Sequence, residues 1–390
     1  MKPHFARFAK QQEDLNAASL RRMLEPNLVA QGAEIVIDGA RLINFCSNDY
    51  LGLCNHPVLR AAAIEGVAKY GVGAGAAPLL SGHSEPHQKL ATRLAQLLCR
   101  ESALLFSSGY LANLGVLTGL TERHDSVFLD RLDHASIIDG ARLSGANFQR
   151  FRHGDVAGLA TLLANVERGC KWIVTDGVFS MDGDLAALPV LSQLADAHEA
   201  LLICDDAHGF GVIGEGLGTP AYYKLAQAEV PIIIVTFGKA LGTCGAAVVG
   251  PALVIENLLQ FARPFIYDTA LPPAWAVATD AALDLAILDS KLRGRLFANM
   301  RQFQAGLRAL DLPVLSDHTP IQPLLIGDAK AALQIAAKLR EQGLYVRAVR
   351  PPTVPAGTAR LRICLSAAHS TAHIARLLDA LHTLRPLILN

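Results

Sequence analysis

A single lysine, Lys239, lies in a segment of small and apolar residues, VTFGKALGTCGAAVVG, at positions 235–250. A free lysine has a pKa near 10.4, so only about 0.04% of it is neutral at pH 7. Burial disfavours the charged form, lowers the pKa and makes the amine nucleophilic. A neutral amine can form an imine, so the segment predicts covalent binding of an aldehyde cofactor. The alternative is a lysine that reaches solvent on its flexible stem.

Acidic, hydroxyl and histidine side chains follow five short apolar runs of the sequence. The five polar segments are Ser107-Ser108-Gly109-Tyr110, Asp130-Arg131-Leu132-Asp133-His134, Asp176-Gly177-Val178-Phe179-Ser180, Asp205-Asp206-Ala207-His208 and Thr236-Phe237-Gly238-Lys239. Ligands of open α/β sheets bind beyond the carboxyl ends of the strands. We therefore expect the five segments to meet in one crevice, although any one of them alone is typical of capping.

Two of these segments have the chemistry of a pyridoxal phosphate site. Asp205 would keep a pyridine nitrogen protonated, so that the ring acts as an electron sink, and His208 follows three residues later. A helix that begins near Ser108 would offer backbone amides and a positive dipole end to a phosphate group. A strand-end cap at Asp205 and an N-cap at Ser108 are the alternatives.

The elements that must position these residues alternate along the chain. Six apolar runs without polar alternation predict strands that are covered on both faces. These runs are residues 103–106, 126–129, 172–175, 201–204, 232–235 and 246–249. Helical patterns such as SEPHQKLATRLAQLL lie between the runs. The alternation predicts an α/β fold with a mostly parallel sheet.

The two ends of the chain have different patterns. Residues 1–30 predict a helix followed by a turn at 25–27, and a hairpin is expected around Asp38-Gly39. From about residue 285 onward, helices mix with two short strands near 323–326 and 360–364. The domain prediction is an N-terminal segment 1–45, a large cofactor-binding domain 46–284 and a smaller α+β domain 285–390.

The composition excludes several classes of protein. The 390 residues are 51% hydrophobic and 18% charged, with a formal net charge of zero. Such a chain is globular, and it lacks the charge bias of proteins that bind nucleic acid or membrane surfaces. The N-terminus has no signal-peptide pattern. The seven cysteines form no CxxC pair, so we expect a reduced, cytoplasmic protein.

Six segments carry a family resemblance when they are taken together. They are NFCSNDYLGL (44–53), SGHSEPHQKLA (81–91), DRLDHASIIDGARLS (130–144), DGVFSMDGDLAALPVL (176–191), CDDAHGFGVIGEGLG (204–218) and TFGKALGTCGAA (236–247). In this order and combination the chain resembles the α-oxoamine synthases. These are dimeric pyridoxal-phosphate acyltransferases with the aspartate aminotransferase fold (PLP fold type I), and their active sites lie at the dimer interface.

The resemblance implies a role for individual residues of this chain. Lys239 matches the Schiff-base lysine, Asp205 the partner of the pyridine nitrogen, and His134 the histidine that stacks on the ring. His208 matches the histidine near the phenolic oxygen of the cofactor. Further cofactor contacts are implied at Gly109, Tyr110, Ser180 and Thr236, and at Thr269 as a contact donated by the partner subunit.

The C-terminal part narrows the implied substrates. IQPLLIGDAKAALQIAAKLREQG (321–343) and VRPPTVPAGTARLRI (349–363) resemble the family members that condense L-alanine with a pimeloyl thioester, of coenzyme A or acyl carrier protein, in biotin synthesis. Arg350 matches the arginine that holds the amino-acid carboxylate, which suits a planar guanidinium. His134, Thr353, Asn48 and Arg21 match other substrate-side positions.

Other interpretations are open at the level of the sequence. A relative could use glycine with an acetyl or succinyl thioester, or serine with a long acyl chain. An aminotransferase or a non-catalytic partner subunit could also share the fold. GFGVIG (209–214) fits a dinucleotide pattern, and His83 with His87 has a metal-like spacing, but neither has the required partners. No metal is expected. Asp268 and the glycine-poor loop 74–82 depart from the family pattern.

Overall fold

The computed structural model describes residues 2–389 and divides into two compact units. One unit is Asn48–Arg295, and the other combines residues up to Ser47 with those from Leu296 onward.

The strands are β1 Glu34–Ile37, β2 Ala40–Asn44, β3 Ser102–Phe106, β4 Ser126–Asp130, β5 Asn147–Phe151, β6 Lys171–Asp176, β7 Ala200–Asp205, β8 Ile232–Thr236, β9 Ala246–Gly250, β10 Ile321–Gly327, β11 Leu344–Tyr345, β12 Arg347–Val349 and β13 Ala359–Cys364. The three-part domain division expected from the sequence stays a prediction.

The helices occupy most of the remaining chain. They are α1 Pro3–Ala17, α2 Pro57–Tyr70, α3 Glu85–Leu97, α4 Gly109–Leu120, α5 Ala135–Ser144, α6 Val156–Ala164, α7 Leu188–Ala197, α8 Thr219–Tyr222, α9 Ala252–Phe261, α10 Arg263–Ile266, α11 Pro273–Leu283, α12 Lys291–Ala309, α13 Ala329–Glu341 and α14 Thr371–Ile388. Among the described residues, no helix combines the length and apolar character needed to span a membrane.

The unit Asn48–Arg295 is built on a seven-stranded sheet, within the described residues, of order β3-β9-β8-β7-β6-β4-β5. All six predicted runs form strands of this sheet. Strand β9 pairs antiparallel with both β3 and β8, and the other neighbours pair in parallel. The carboxyl ends of β3, β4, β6, β7 and β8 therefore lie at the same edge.

Both faces of this sheet are buried, which explains the continuous apolar runs. One face packs against α4, α5 and α9 in a cluster that includes Val127, Val174, Ile203 and Ile234. The alternate residues, such as Phe128, Ile173 and Ile233, are also buried. Strand β5 was not predicted because NFQRF is mostly polar and lies at the sheet edge with half-exposed side chains.

The other unit joins the two ends of the chain. The predicted hairpin forms with β1 and β2 antiparallel around Asp38-Gly39, both at positive φ. Strand β2 then pairs in parallel with β11, which lies about 300 residues later in the sequence. The Cys364 amide donates to Phe45 O at 2.8 Å. The N-terminal helix ends at Ala17, well before the predicted turn, and has no buried residue.

Candidate active site

The five polar segments predicted to form a crevice all contribute to one cavity of about 370 Å³. Each segment follows a strand end at the same edge of the sheet, so the parallel topology brings them together. The lining residues are Asn48, Ser107, Ser108, Gly109, Tyr110, Asn113, His134, Ser136, Asp176, Ser180, Asp205, Ala207, His208, Thr236, Gly238, Lys239, Cys244 and Gly245. The cavity belongs entirely to the unit Asn48–Arg295.

Asp205 ends β7 and is only 4% exposed. Its Oδ1 accepts the backbone N–H of Ala207 at 3.0 Å, and its Oδ2 accepts Asn113 Nδ2 at 2.6 Å. Two donors hold the carboxylate in a fixed orientation. It is therefore suited to face a cationic ring nitrogen. Asn113 was missed at the sequence level, since a polar residue within a helix does not reveal its partner in space.

His134 caps the N-terminus of α5. Its Nδ1 accepts the backbone N–H of Ser136, and its own backbone N–H donates to Asp176 Oδ2 at 2.9 Å. Burial lowers the pKa of His134, the Asp205 carboxylate opposes this, and the positive charge of Lys239 adds to the lowering. The ring is therefore held neutral beside the cavity.

Two buried carboxyl groups, those of Asp176 and Asp133, hold the backbone next to the His134 ring. Asp176 Oδ2 binds the His134 backbone, and Asp133 Oδ1 accepts the Asp176 backbone N–H at 3.0 Å. Burial raises the pKa of both Asp133 and Asp176 well above the usual range, and neighbouring carboxylates raise it further. The charge of Lys239 acts in the opposite direction on Asp176. Both shifts favour the neutral, protonated form of these two carboxyl groups.

Lys239 lies in a tight loop after β8 and is half-buried. The loop is closed by hydrogen bonds from Thr243 N to Phe237 O and from Gly242 N to Lys239 O, at 2.9 and 3.0 Å. Phe237 and Leu241 are fully buried on either side of the lysine. These apolar anchors fix the backbone while the Lys239 side chain lines the cavity. Lys239, the lysine found in an apolar segment of the sequence, is therefore part of the candidate site.

The N-terminus of α4 forms another part of the cavity. Ser108 caps the helix by accepting the Leu111 N–H at 3.2 Å. A Cβ at Gly109 would lie 2.4 Å from Thr236 Cγ2, so only glycine allows the helix start to approach β8 this closely. Backbone amides at the start of a helix suit an anionic group. Tyr110 is 43% exposed and donates its hydroxyl hydrogen to Asp139.

Of the remaining predicted residues of this unit, most line the cavity and one does not. His208 Nδ1 lies 2.7 Å from the hydroxyl of Tyr50, a fully buried residue that the sequence reading did not assign. Asn48, Ser180 and Thr236 line the cavity. Thr269 does not, and instead lines a neighbouring cavity of about 530 Å³. Its role as a partner-subunit contact stays a prediction.

Asp268, which departs from the family pattern, also lines the neighbouring cavity. It accepts the hydroxyl of Ser107, a residue common to both cavities. The additional carboxylate is therefore engaged by a hydroxyl at the α4 end of the site.

Three predicted substrate residues belong to the other unit and are described there. Arg350 Nη1 donates to Ser19 O, and burial lowers its pKa, as do the charges of Arg22 and Arg347. The hydroxyl of Thr353 accepts Arg22 Nη2 at 3.2 Å. Arg21 is exposed. Their roles in substrate binding stay predictions.

The histidine pair set aside from the sequence has a structural role. His87 forms a capping box with Ser84 at the start of α3, and its Nε2 lies 2.6 Å from Leu271 O. Within residues 2–389, no group of three or more potential ligands could hold a metal ion. Asp182 and Gly183 lie in a turn closed by the Gly183 N–H and Phe179 O at 2.8 Å. The cysteines are free.

His153 fixes the loop that carries Ser180. Its Nδ1 lies 3.1 Å from Asp130 Oδ2, and its Nε2 lies 2.9 Å from Asp184 Oδ2. The hydrogen bond to Asp130, followed by that to Asp184, raises the pKa of His153 from 6.5 to about 10. The folded protein thus holds this proton through neutral pH. The resulting stabilisation is complete below about pH 6.5 and is lost as the pH rises through 10.

We expect His153→Gln to lower the free energy of unfolding by about 1–2 kcal/mol at pH 6, because two charge-assisted hydrogen bonds at a partly exposed site are lost. The difference from wild type should shrink as the pH approaches 10. Urea unfolding at pH 6, 8 and 10 measures it, with the exposed His124→Gln as the control. A difference that does not change with pH would contradict the charged state of His153.

Comparisons with known proteins agree on the kind of enzyme. The family model described as aminotransferase class I and II matches residues 40–381. An 8-amino-7-oxononanoate synthase of Nitrosococcus oceani is 52% identical, over 95% of this chain and 98% of that protein. The protein of the same name from Pseudomonas putida KT2440 is also 52% identical, over 92% of each chain.

Solved structures also match the whole chain. Serine palmitoyltransferase from S. paucimobilis, with a bound pyridoxal phosphate adduct, gives a TM-score of 0.91 at 30% identity and covers 99% of both chains. An 8-amino-7-oxononanoate synthase from Francisella tularensis gives a TM-score of 0.77 at 32% identity, over 90% of this chain and 99% of that one. The predicted aminotransferase-like fold is confirmed.

Proposed function

Because the chain belongs to the aminotransferase class I and II family and, within it, to the pyridoxal-phosphate-dependent 8-amino-7-oxononanoate synthases, we propose that it condenses L-alanine with a pimeloyl thioester. The products are the amino-oxo acid, carbon dioxide and the free thiol of coenzyme A or acyl carrier protein. The observation that carries the proposal is the arrangement of Lys239, Asp205 and His134 around one cavity. We further propose a homodimer, with Thr269 reaching the partner's site, and a cytoplasmic location.

The residues present fit pyridoxal phosphate. The α4 N-terminus, with the close approach at Gly109, suits the phosphate. Asp205, held by two N–H donors, suits the pyridine nitrogen, and Lys239 provides the amine. When bound, the cofactor supplies an electron sink for negative charge at the amino-acid α-carbon.

The side chains of this chain then have separate tasks. Lys239 would hold the cofactor and would accept the proton from the α-carbon of L-alanine at Nζ. Asp205 would stabilise positive charge at the ring nitrogen of the bound cofactor. His134, which lines the cavity, would donate a hydrogen bond to the acyl oxygen of the substrate. Arg350 binds the carboxylate of alanine through its guanidinium.

We expect the enzyme to exchange the α-hydrogen of L-alanine in deuterated water without forming pyruvate, because the carbanion waits for an acyl donor. An aminotransferase would instead produce pyruvate. Addition of a pimeloyl thioester should release carbon dioxide and free thiol in equal amounts. NMR of alanine and assays for pyruvate, thiol and carbon dioxide measure these results. Accumulation of pyruvate at the rate of exchange would exclude a synthase.

The main rival within the fold is a synthase with other substrates, since serine palmitoyltransferase is structurally similar. The higher identity to 8-amino-7-oxononanoate synthases, 52% against 30%, favours alanine. The test is kcat/KM for alanine, glycine and serine, each with pimeloyl, acetyl, succinyl and palmitoyl thioesters. A higher value for glycine with a short donor, or for serine with palmitoyl, would overturn the substrate assignment and leave the family intact.

The Arg350 proposal has its own test. We expect Arg350→Ala to raise the KM for L-alanine about tenfold or more, because a charge-assisted carboxylate contact is lost. The KM for the thioester should change much less. Arg21→Ala should have the reverse pattern. Equal changes in the two KM values of Arg350→Ala would contradict its role.

A further inference from the structure

A path of hydrogen bonds joins Asp205 to His134 through Asn113 and Ser136, for which the sequence predicted no role. Asn113 Nδ2 donates to Asp205 Oδ2 at 2.6 Å and to the hydroxyl oxygen of Ser136 at 2.9 Å. The Ser136 hydroxyl in turn lies 2.7 Å from Nδ1 of His134. Asn113 and Ser136 are 1% and 0% exposed, and all four residues line the cavity. The path is therefore a buried part of the site.

The direction of each hydrogen bond follows from the chemistry of its groups. A carboxylate only accepts, so the nitrogen of the Asn113 amide must face Asp205. Because Ser136 Oγ accepts from the same amide, its own hydrogen is directed to His134 Nδ1. The Ser136 backbone N–H also donates to this nitrogen, at 3.3 Å. Nδ1 of His134 is thus an acceptor, and the proton of the neutral ring is on Nε2.

The other atom of the Asn113 amide supports this orientation. Asn113 Oδ1 is buried and has no hydrogen-bond partner within residues 2–389. A buried acceptor without a partner costs free energy. Rotating the amide by half a turn would place this oxygen against the Asp205 carboxylate, which is worse. The amide is therefore oriented for Asp205 and Ser136.

We propose that Asn113 is a positioning residue that holds the Asp205 carboxylate directly and, through Ser136, fixes His134 in the tautomer with its proton on Nε2. The side-chain hydrogen bonds of His134 to the described residues are made by Nδ1, so the Nε2–H can serve an oxygen of a bound substrate. The relevance to catalysis rests on the proposed function, whereas the tautomer does not.

The first test measures the tautomer of His134 in the full-length protein, with and without pyridoxal phosphate. Long-range ¹H–¹⁵N NMR of histidine-labelled protein separates the two tautomers, and a His134→Gln variant identifies the signal. We expect wild type to be protonated on Nε2. Asn113→Ala should give a mixture, because the Ser136 hydroxyl is then free to rotate. Ser136→Ala should shift the population in the same direction, and Ser136→Thr should preserve it.

The second test measures affinity for pyridoxal phosphate. Asn113→Ala should weaken binding about tenfold or more, since a hydrogen bond to a charged group is lost. Asn113→Asp should weaken it further, because a second carboxylate would face Asp205. Thr118→Ala is the matched control, since it removes a 2.6 Å hydrogen bond to Leu114 O on the same helix outside the cavity. It should change neither the tautomer nor the affinity.

The two proposals can fail separately. A wild-type ring protonated on Nδ1, or an Asn113→Ala variant with wild-type tautomer and affinity, would overturn the positioning role of Asn113. If Asn113→Ala does not fold, the Ser136 variants test the same path from its other end, and an unchanged tautomer in Ser136→Ala would overturn it. If the tautomer responds as expected but no thioester gives product, the proposed function fails and the hydrogen-bond path stands.

Discussion

Lys239→Ala is expected to give a folded protein that is no longer yellow and has almost no turnover. In the proposed function this lysine would provide both the covalent attachment of the cofactor and the base at the α-carbon. Loss of the base alone should reduce the rate by about 10²–10⁴-fold. Absorbance of the purified protein, steady-state rates, and borohydride reduction followed by peptide mapping of wild type measure the effect.

Lys171→Ala is the matched control for this change. Lys171 is also half-buried, but it begins β6 at the opposite end of the strand, and its Nζ donates to His198 O at 2.9 Å. We expect this variant to keep the colour and the turnover of wild type. A cofactor adduct on any lysine other than Lys239 after reduction would contradict the assignment.

Asp205→Ala should have the second largest effect. It removes the carboxylate that we propose to face the ring nitrogen, and it leaves Asn113 Nδ2 and the Ala207 N–H without their acceptor. Breaking a buried charge pair costs about 3–5 kcal/mol, so cofactor affinity and the rate of α-hydrogen exchange should both fall by more than a hundredfold. Equilibrium titration with pyridoxal phosphate and deuterium exchange into alanine measure the two effects.

A variant of the neighbouring Asp206 distinguishes a specific role of Asp205 from the general effect of removing a buried carboxyl group. Asp206 is fully buried but does not line the cavity, and its Oδ2 accepts the Thr219 N–H at 2.7 Å. Burial raises its pKa to about 7. Asp206→Asn should therefore lower stability more than it changes α-hydrogen exchange. Equal losses of exchange in the Asp205 and Asp206 variants would show that neither carboxylate acts specifically on the ring.

The sequence predicted the large sheet well because its strands are buried on both faces. A continuous run such as IIIV has few other interpretations when helices flank it. The same run contains no signal for direction, so the antiparallel β9 could not be distinguished from its parallel neighbours. Strands β11 and β12 have only two and three residues and owe their conformation to pairing with β2 and β13.

The sequence identified those residues of the candidate site that directly follow the end of a strand, such as Asp205 and Lys239. Parallel topology alone is enough to bring such residues together. Asn113 and Tyr50 were missed for the opposite reason. Asn113 lies within α4 and Tyr50 in a turn, and each reaches the site through a partner that is distant in sequence, Asp205 or His208. Only the three-dimensional structure defines such pairs.

The pairing of β2 with β11 has a consequence for the order of events during protein synthesis. Ile43 pairs with Leu344, so the ribosome must add about 300 residues after the hairpin before its partner exists. At roughly 5–20 residues per second this takes about 15–60 s. During that time the hairpin lacks Tyr345 of β11, which packs in the finished fold against the buried residues Ile35, Ile37 and Leu42. The nascent chain therefore carries this apolar hairpin without its partner strand while residues 48–295 are synthesised.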